Sequence, residues 1–235
     1  MCGVVVMYKN VCRYIVATQL LSALSTLHTH GYAHADLQPR NILVTQDALD
    51  GKFFDREDLF SVVLADLGSV RRLTKPVHEP QGTLYYMAPE YFALYDRAKG
   101  SGGVPVTPAM DVWSFGIILS EMLLGQLLYG VVKNQERLKM LHQQQVFTDC
   151  IVSRLKRPGL VRNHLKKYID VVKICLAYDP AKRPTPQRLL RLLETHRAFD
   201  IDRNQMLEEV RGRFVAPQPI VLPPALVVRL NLPVT

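Results

Sequence analysis

The stretch HADLQPRNILV, residues 34 to 44, joins a turn-forming segment to a strand-forming one. Asp36 and Asn41 lie in the turn-forming part, and the apolar run 42–44 follows directly. Taken alone, an aspartate and an asparagine around a proline are most simply turn formers. The alternative is that the carboxylate accepts a proton and the amide oxygen binds a metal ion. The segments on either side of the stretch bear on this choice.

A helix is predicted before the stretch and a second strand after it. Apolar residues recur at helical spacing over residues 13–30, and Gly31 predicts the end of that helix. The β-branched run 62–64 predicts a strand that ends just before Asp66. A hairpin of the two strands would bring Asn41 close to Asp66, because each residue flanks a strand of one ribbon. A carboxylate and an amide oxygen suit Mg²⁺, which keeps water and phosphate oxygens as its other ligands.

The rest of the chain is predicted to be mostly helical. Apolar residues at helical spacing predict helices over residues 110–124, 165–176 and 187–199, and the first of these is apolar nearly all round. Prolines among valines and leucines predict an extended tail over residues 214–235. The expected fold class is therefore α+β and predominantly helical, with one short β-hairpin.

Composition narrows the class of protein. The chain has 235 residues, of which 48% are hydrophobic, and this suits one large globular domain. Its four cysteines form no CxxC pair, which favours reduced thiols. The net charge is +8, but the basic residues are scattered and no nucleic-acid motif is present, so we expect no nucleic-acid partner. Glu121 and Gln126 interrupt the longest apolar region, so no membrane span is expected.

Five short motifs occur along the chain in a fixed order. They are HADLQPRN at 34–41, DLG at 66–68, APE at 88–90, DVWSFG at 111–116 and DPAKRPT at 179–185. In type and order they resemble the large, helical C-terminal lobe of eukaryotic protein kinases of the serine/threonine type. The resemblance implies a kinase-like C-lobe fold, ATP and Mg²⁺ as phosphate donor and cofactor, and phosphoryl transfer to protein.

The resemblance also implies roles for individual residues. Asp36 matches the base that accepts the proton of the substrate hydroxyl, and Asn41 and Asp66 match the Mg²⁺ ligands beside the ATP phosphates. Thr83 matches a threonine that hydrogen-bonds near the catalytic aspartate. Gln38 stands where the family usually has a lysine that neutralises the transferring phosphoryl group. An amide can donate a hydrogen bond there, but it brings no charge.

Three further residues match structural positions of the family. Glu90 and Arg183 match a buried ion pair that ties the activation segment, residues 66–90, to the later helices. Asp111 matches a carboxylate that accepts backbone N–H bonds from the catalytic loop, residues 34–41. We expect all three to be buried and paired.

Several departures from the family pattern affect the expected activity. Ala35 replaces the arginine that usually docks a phosphorylated activation segment, which puts regulation by that route in doubt. Gln38 is uncharged, so the phosphoryl-transfer site has less positive charge than the usual lysine would give it. Pro39, between the base and the asparagine, and Thr83 both favour a serine or threonine acceptor over tyrosine. The acceptor class is therefore expected to be Ser/Thr.

No motif of a kinase small lobe can be matched, since the chain begins with MCGVVVMYKN shortly before the first predicted helix. We therefore expect the N-lobe to be absent and this chain to be weak or inactive. The expected organisation is a hinge-like start over 1–12, the C-lobe over 13–200, a terminal helix over 201–213 and the proline-rich tail. Apolar residues left uncovered, such as 4–7 and those near the hairpin, would need a partner or the tail to cover them.

Two functions stay open on these residues. The first is a protein serine/threonine kinase, which the presence of Asp36, Asn41 and Asp66 favours. The alternative is a pseudokinase that serves as a binding or scaffolding module, favoured by Ala35 and Gln38. Either would act on a protein substrate or a regulatory protein. The expected location is cytoplasmic, or secreted if an upstream signal has been lost from this chain.

Overall fold

The computed structural model describes residues 10–45, 61–73, 75–79, 82–92, 94, 103–125, 146–156 and 166–194. Four predictions fall outside these residues: most of the hinge-like start, the apolar residues 4–7, the terminal helix 201–213 and the tail 214–235. The predicted domain boundaries stay predictions. Within the described segments, every helix is too short or too polar to span a lipid bilayer.

Six α-helices form most of the described structure. They are α1 (Asn10–Thr29), α2 (Pro89–Phe92), α3 (Pro108–Leu124), α4 (Val146–Leu155), α5 (Lys166–Cys175) and α6 (Pro186–Glu194). The predicted helix over 13–30 is thus confirmed as α1, and it begins three residues earlier than predicted. Gly31 ends it with a φ of +82°, and Gly125 ends α3 with a φ of +68° while its N–H bonds Glu121 O at 2.8 Å. Both glycines adopt the left-handed conformation that helix ends favour.

In the described residues, six short strands pair into three two-stranded antiparallel sheets. β1 (Tyr32–Ala33) pairs with β4 (Arg71–Arg72), β2 (Ile42–Thr45) with β3 (Ser61–Leu64), and β5 (Pro76–Val77) with β6 (Val104–Pro105). The pairing of β2 with β3 is the predicted hairpin. In the other two sheets, β4 and β5 belong to the activation segment. Their partners β1 and β6 lie outside it, so both sheets attach the segment to other parts of the chain.

The core centres on α3, whose residues from 110 to 123 are all buried. This confirms the prediction that this helix lies in the middle of the domain. It packs against α1 and α5, while α1 also contacts α6 and β3. At Gly116 a Cβ atom would lie 2.7 Å from the Cβ of Cys175, so only glycine permits the close approach of α3 to α5. The described residues therefore form a mainly helical body in which Nε2 of His28, near the end of α1, lies 2.8 Å from the carboxylate of Asp111 in the first turn of α3.

Candidate active site

The β2–β3 hairpin places Asn41 beside the residue that precedes Asp66. Ile42 pairs with Leu64, and the N–H of Ala65 donates to the carbonyl oxygen of Asn41 at 2.8 Å. Asn41 itself is buried and closes a 3₁₀ turn over Pro39–Asn41. The sequence prediction that the two strands form a ribbon between Asn41 and Asp66 is thereby confirmed.

Asp66 has a backbone conformation that non-glycine residues seldom adopt. Its φ is +60° and its ψ +67°, and its Oδ1 accepts the N–H of Gly68 at 3.4 Å. The residue is exposed, so its carboxylate can contact a ligand. Strain of this kind costs on the order of 1–3 kcal/mol and persists only where the surrounding structure holds it. The pairing of β3 just before it and the 3₁₀ turn Leu67–Ser69 just after it hold it here.

Both oxygens of the Asp36 carboxylate are oriented by hydrogen bonds. Oδ1 accepts the backbone N–H of Thr83 at 2.8 Å, and Oδ2 accepts Nε2 of Gln38 at 3.1 Å. Nδ2 of Asn41 lies 2.8 Å from the backbone oxygen of Asp36 and 3.4 Å from Oδ2. The structure thus brings together four of the five predicted site residues around one carboxylate.

The contact of Thr83 comes from its backbone, not from its hydroxyl. The predicted hydrogen bond near Asp36 is present, but any residue except proline could donate it. What makes the contact possible is Gly82, which the sequence reasoning missed. Gly82 has a φ of +99°, and a Cβ atom there would lie 2.8 Å from the backbone oxygen of Ala35 and 3.3 Å from Oδ1 of Asp36. A glycine directly before Thr83 was the signal available in the sequence.

The donor set around Asn41 and Asp66 suits one magnesium ion rather than a closed metal cage. In the described part of the chain, no cluster of three or more His, Cys, Asp or Glu side chains could hold a metal. Nδ2 of Asn41 is committed to Asp36, so the amide oxygen is the atom that a cation could contact. One carboxylate and one amide oxygen leave positions for water and phosphate oxygens, as Mg²⁺ prefers.

The catalytic loop rests on the carboxylate of Asp111, as predicted. Oδ2 accepts the N–H of His34 at 2.8 Å and Oδ1 accepts the N–H of Ala35 at 2.9 Å. Nε2 of His28 lies 2.8 Å from Oδ2, a contact with no signal in the sequence pattern. Ala35 has a φ of +63°, so the loop turns sharply at this support. The buried Asp111 carboxylate thereby fixes the backbone immediately before Asp36.

His34 connects the catalytic loop to the strand that leads to Asp66. It is fully buried, and its Nε2 lies 3.0 Å from the carbonyl oxygen of Ala65. Because a carbonyl only accepts, Nε2 carries the proton. The imidazole therefore links His34, two residues before Asp36, to Ala65, the residue before Asp66.

The end of the activation segment is anchored to the helical core. Arg183 donates from Nη1 to Oε1 of Glu90 at 2.6 Å and from Nη2 to Oε2 at 2.8 Å. Its remaining N–H groups reach the backbone oxygens of Ala177, Ala109 and Tyr178. The guanidinium also lies 5.0 Å from the ring centre of Trp113. The predicted Glu90–Arg183 pair is thus confirmed.

Tyr91 lies directly after this ion pair and is buried. Burial raises the pKa of its hydroxyl to about 12, while Arg71 lowers it and Asp111 raises it by smaller amounts. The group is therefore neutral at physiological pH and does not supply charge to the site.

This chain is similar in sequence to several proteins with protein kinase domains or kinase-like descriptions. A mouse TBC domain-containing protein kinase-like protein is 30% identical over 75% of this chain and 20% of its own length. An Arabidopsis thaliana protein kinase and PP2C-like domain-containing protein is 30% identical over 85% of this chain and 30% of its own length. Human serine/threonine-protein kinase PAK 4 is 33% identical over 75% of this chain and 25% of its own length.

The chain therefore spans only 20% to 30% of the length of these relatives. The family model described as "Protein kinase domain" matches residues 5–193. That match does not test the expected absence of an N-lobe, which stays a prediction. Because the match covers most of the chain, this protein belongs to the protein kinase domain family.

Proposed function

We propose that this chain carries the acceptor and metal side of a protein serine/threonine kinase site, with ATP as the phosphate donor. The observation that carries the proposal is the fixed carboxylate of Asp36. Thr83 and Gln38 orient its two oxygens at 2.8 and 3.1 Å, and Asn41 adjoins it. A turn-forming aspartate would not need contacts from a segment 47 residues away in sequence.

Asp36 acts as the proton acceptor in this proposal. A carboxylate oxygen has more than one lone-pair direction, so Asp36 can accept the hydroxyl of a serine or threonine in addition to its present bonds. The backbone N–H from Thr83 and the support of Asp111 under Ala35 limit its rotation. Positioning of the hydroxyl for in-line attack and uptake of its proton are the two contributions we assign to this residue.

Asn41 and Asp66 would hold Mg²⁺ in this proposal. Bound Mg²⁺ would neutralise negative charge on the phosphate groups during transfer. The amide oxygen of Asn41 and the exposed carboxylate of Asp66 are the chain's own ligands for it. The N–H of Ala65, the residue before Asp66, donates to the carbonyl oxygen of Asn41 at 2.8 Å and so links the backbones of the two ligand segments.

A serine or threonine acceptor is supported by two independent features. Pro39 lies between the base and the asparagine, in the pattern typical of serine/threonine kinases. PAK 4, which is 33% identical to this chain over 179 residues, is named a serine/threonine-protein kinase. We also propose that the chain acts in the cytoplasm, on a protein substrate or a regulatory protein.

The test is single-turnover transfer of labelled phosphate from ATP to a mixture of serine, threonine and tyrosine peptides, with the protein in excess. We expect label on serine or threonine, and Asp36→Asn should reduce the rate by about 10²–10⁴-fold. Asp170→Asn, which changes an exposed acid on α5, is the matched control and should leave the rate unchanged. Equal rates for Asp36→Asn and the parent chain would refute the role of Asp36.

A pseudokinase that binds a partner is the second candidate. The supporting observation is Gln38, whose amide occupies Oδ2 of Asp36 at 3.1 Å without bringing a charge. Gln38→Lys distinguishes the two functions. If the chain is a slow kinase, the added charge should raise the transfer rate, whereas a binding module should show no transfer in either form.

A further inference from the structure

The β2–β3 hairpin carries both proposed metal ligands at its open end. Asn41 directly precedes β2, and Asp66 follows β3 by two residues. In the described residues this sheet has only these two strands. A two-stranded ribbon is marginally stable by itself in water. Contacts from outside the hairpin must therefore hold it in place.

The N–H groups of β3 face two directions. In an antiparallel pair, successive N–H groups of one strand alternate between the partner strand and the opposite side. The N–H of Ala65 faces β2, because it donates to the carbonyl oxygen of Asn41 at 2.8 Å. By this alternation the N–H of Val62, three residues earlier, points away from β2. It must find its acceptor elsewhere.

Gln19 supplies this acceptor. Its Oε1 accepts the N–H of Val62 at 2.6 Å, although the two residues are 43 positions apart in sequence. Gln19 lies in the middle of α1, and α1 packs against α3 and α6. The glutamine side chain therefore attaches the outer edge of β3 to the helical core.

A second hydrogen bond holds the chain just after β3. Nε2 of His34 donates to the carbonyl oxygen of Ala65 at 3.0 Å. Together with the bond from Gln19 to Val62, it fixes two backbone positions three residues apart. These two positions set the direction in which the chain enters Asp66. The φ of +60° at Asp66 is of the kind that persists only where the surrounding structure holds it.

We propose that Gln19 is a positioning residue for the metal site, which fixes β3 and thereby sets the position of the Asp66 carboxylate relative to Asn41. This inference rests on the proposed function, because it assumes that Asn41 and Asp66 bind Mg²⁺. Gln19 acts through the backbone of Val62 and is not itself a ligand.

Metal binding followed by NMR tests the inference without requiring catalysis. The probe is Mn²⁺, which shares the preference of Mg²⁺ for oxygen ligands and broadens the signals of nearby amides, here those of Ile42 and Gly68. Gln19→Met replaces the amide by a thioether, which is a weak acceptor. We expect this variant to need about threefold to tenfold more Mn²⁺ for half-maximal broadening, as the loss of one hydrogen bond implies. Hydrogen exchange at the Val62 amide should also accelerate.

Gln19→Glu should restore the response of the parent chain to Mn²⁺, because a carboxylate oxygen accepts the same N–H. Thr18→Val is the matched control. It removes a hydroxyl from the neighbouring residue of α1, but that hydroxyl bonds the carbonyl oxygens of Tyr14 and Ile15 within the same helix. This variant should respond to Mn²⁺ as the parent chain does.

The inference is overturned if Gln19→Met lowers the free energy of unfolding but leaves the Mn²⁺ response unchanged, since Gln19 would then be purely structural. An equal loss of response in Thr18→Val and Gln19→Met would overturn it too, as would a parent chain whose amides Mn²⁺ does not broaden. The phosphate-transfer assay reports separately on the proposed function. If no peptide is phosphorylated but Gln19→Met still weakens the Mn²⁺ response and Gln19→Glu restores it, kinase activity fails and the assignment of Gln19 stands.

Discussion

Glu90 and Arg183 form a two-point ion pair between the end of the activation segment and the loop before α6, at 2.6 and 2.8 Å. The Arg183 side chain is fully buried and that of Glu90 is 20% exposed. The pair joins parts of the chain 93 residues apart. It therefore ties the activation segment to the helical core independently of any phosphorylated residue.

Glu90→Gln should destabilise the fold strongly. The amide keeps the shape but leaves a buried guanidinium without its counter-charge, a change that typically costs about 3–5 kcal/mol. Urea unfolding followed by circular dichroism measures the change. Lys173→Ala serves as the control, because Lys173 pairs with Asp170 at 3.0 Å on an exposed face. That substitution should cost less than about 0.5 kcal/mol, and equal losses in the two variants would contradict the burial argument.

Asp111→Asn should loosen the catalytic loop. The carboxylate accepts two backbone N–H groups and Nε2 of His28, whereas an asparagine places its own N–H₂ against one of these donors. A buried donor left without an acceptor costs about 1–3 kcal/mol. Hydrogen exchange at the amides of His34 and Ala35 should accelerate. Unchanged protection of both amides would show that the carboxylate does not hold the loop.

Gly82→Ala should reduce phosphate transfer more than it reduces stability. The added Cβ meets the backbone oxygen of Ala35 at 2.8 Å, so the activation segment must move away from Asp36. Gly31→Ala is the matched control, because Gly31 also has a positive φ, +82°, but a Cβ there meets nothing within 4 Å. Both variants bear a backbone strain of about 1–2 kcal/mol. Only Gly82→Ala should change the transfer rate beyond what unfolding explains.

The structural features that were predicted correctly are those that depend on short sequence motifs or on a long apolar run. The hairpin around Asn41, the support by Asp111 and the Glu90–Arg183 pair all follow from motif positions, and α3 follows from an apolar run. The contact of His28 with Asp111 could not be predicted, because a helical pattern does not say which polar side chain meets a distant carboxylate. The pairing of β5 with β6 was missed as well, since two-residue strands have no detectable alternation of apolar and polar residues.

The role of Gly82 was missed for a related physical reason. Its positive φ is required by the approach of the catalytic loop, which exists only in the folded chain. The same holds for Thr83, whose backbone rather than whose hydroxyl bonds Asp36. A motif identifies the residue type, but the tertiary contact decides which atom is used.

Alkaline pH should destabilise the fold through buried neutral hydroxyls and a buried thiol. Burial raises the pKa of Tyr91 from 10.0 to about 12, and it raises the pKa values of Tyr168 and Cys175 as well. Each group ionises first in the unfolded chain, so the unfolded state binds fewer protons. The free energy of unfolding therefore falls as pH rises above the unfolded pKa values, and for Tyr91 the window is pH 10 to about 12.

Tyr91→Phe should remove part of this pH dependence. Between pH 10 and pH 11 the parent chain should lose roughly 1 kcal/mol more than the variant, since one pKa unit corresponds to about 1.4 kcal/mol. Urea unfolding at each pH gives the two curves. Tyr178→Phe is the control, because Tyr178 is 45% exposed. Parallel curves for the parent chain and Tyr91→Phe would show that ionisation of Tyr91 does not oppose folding.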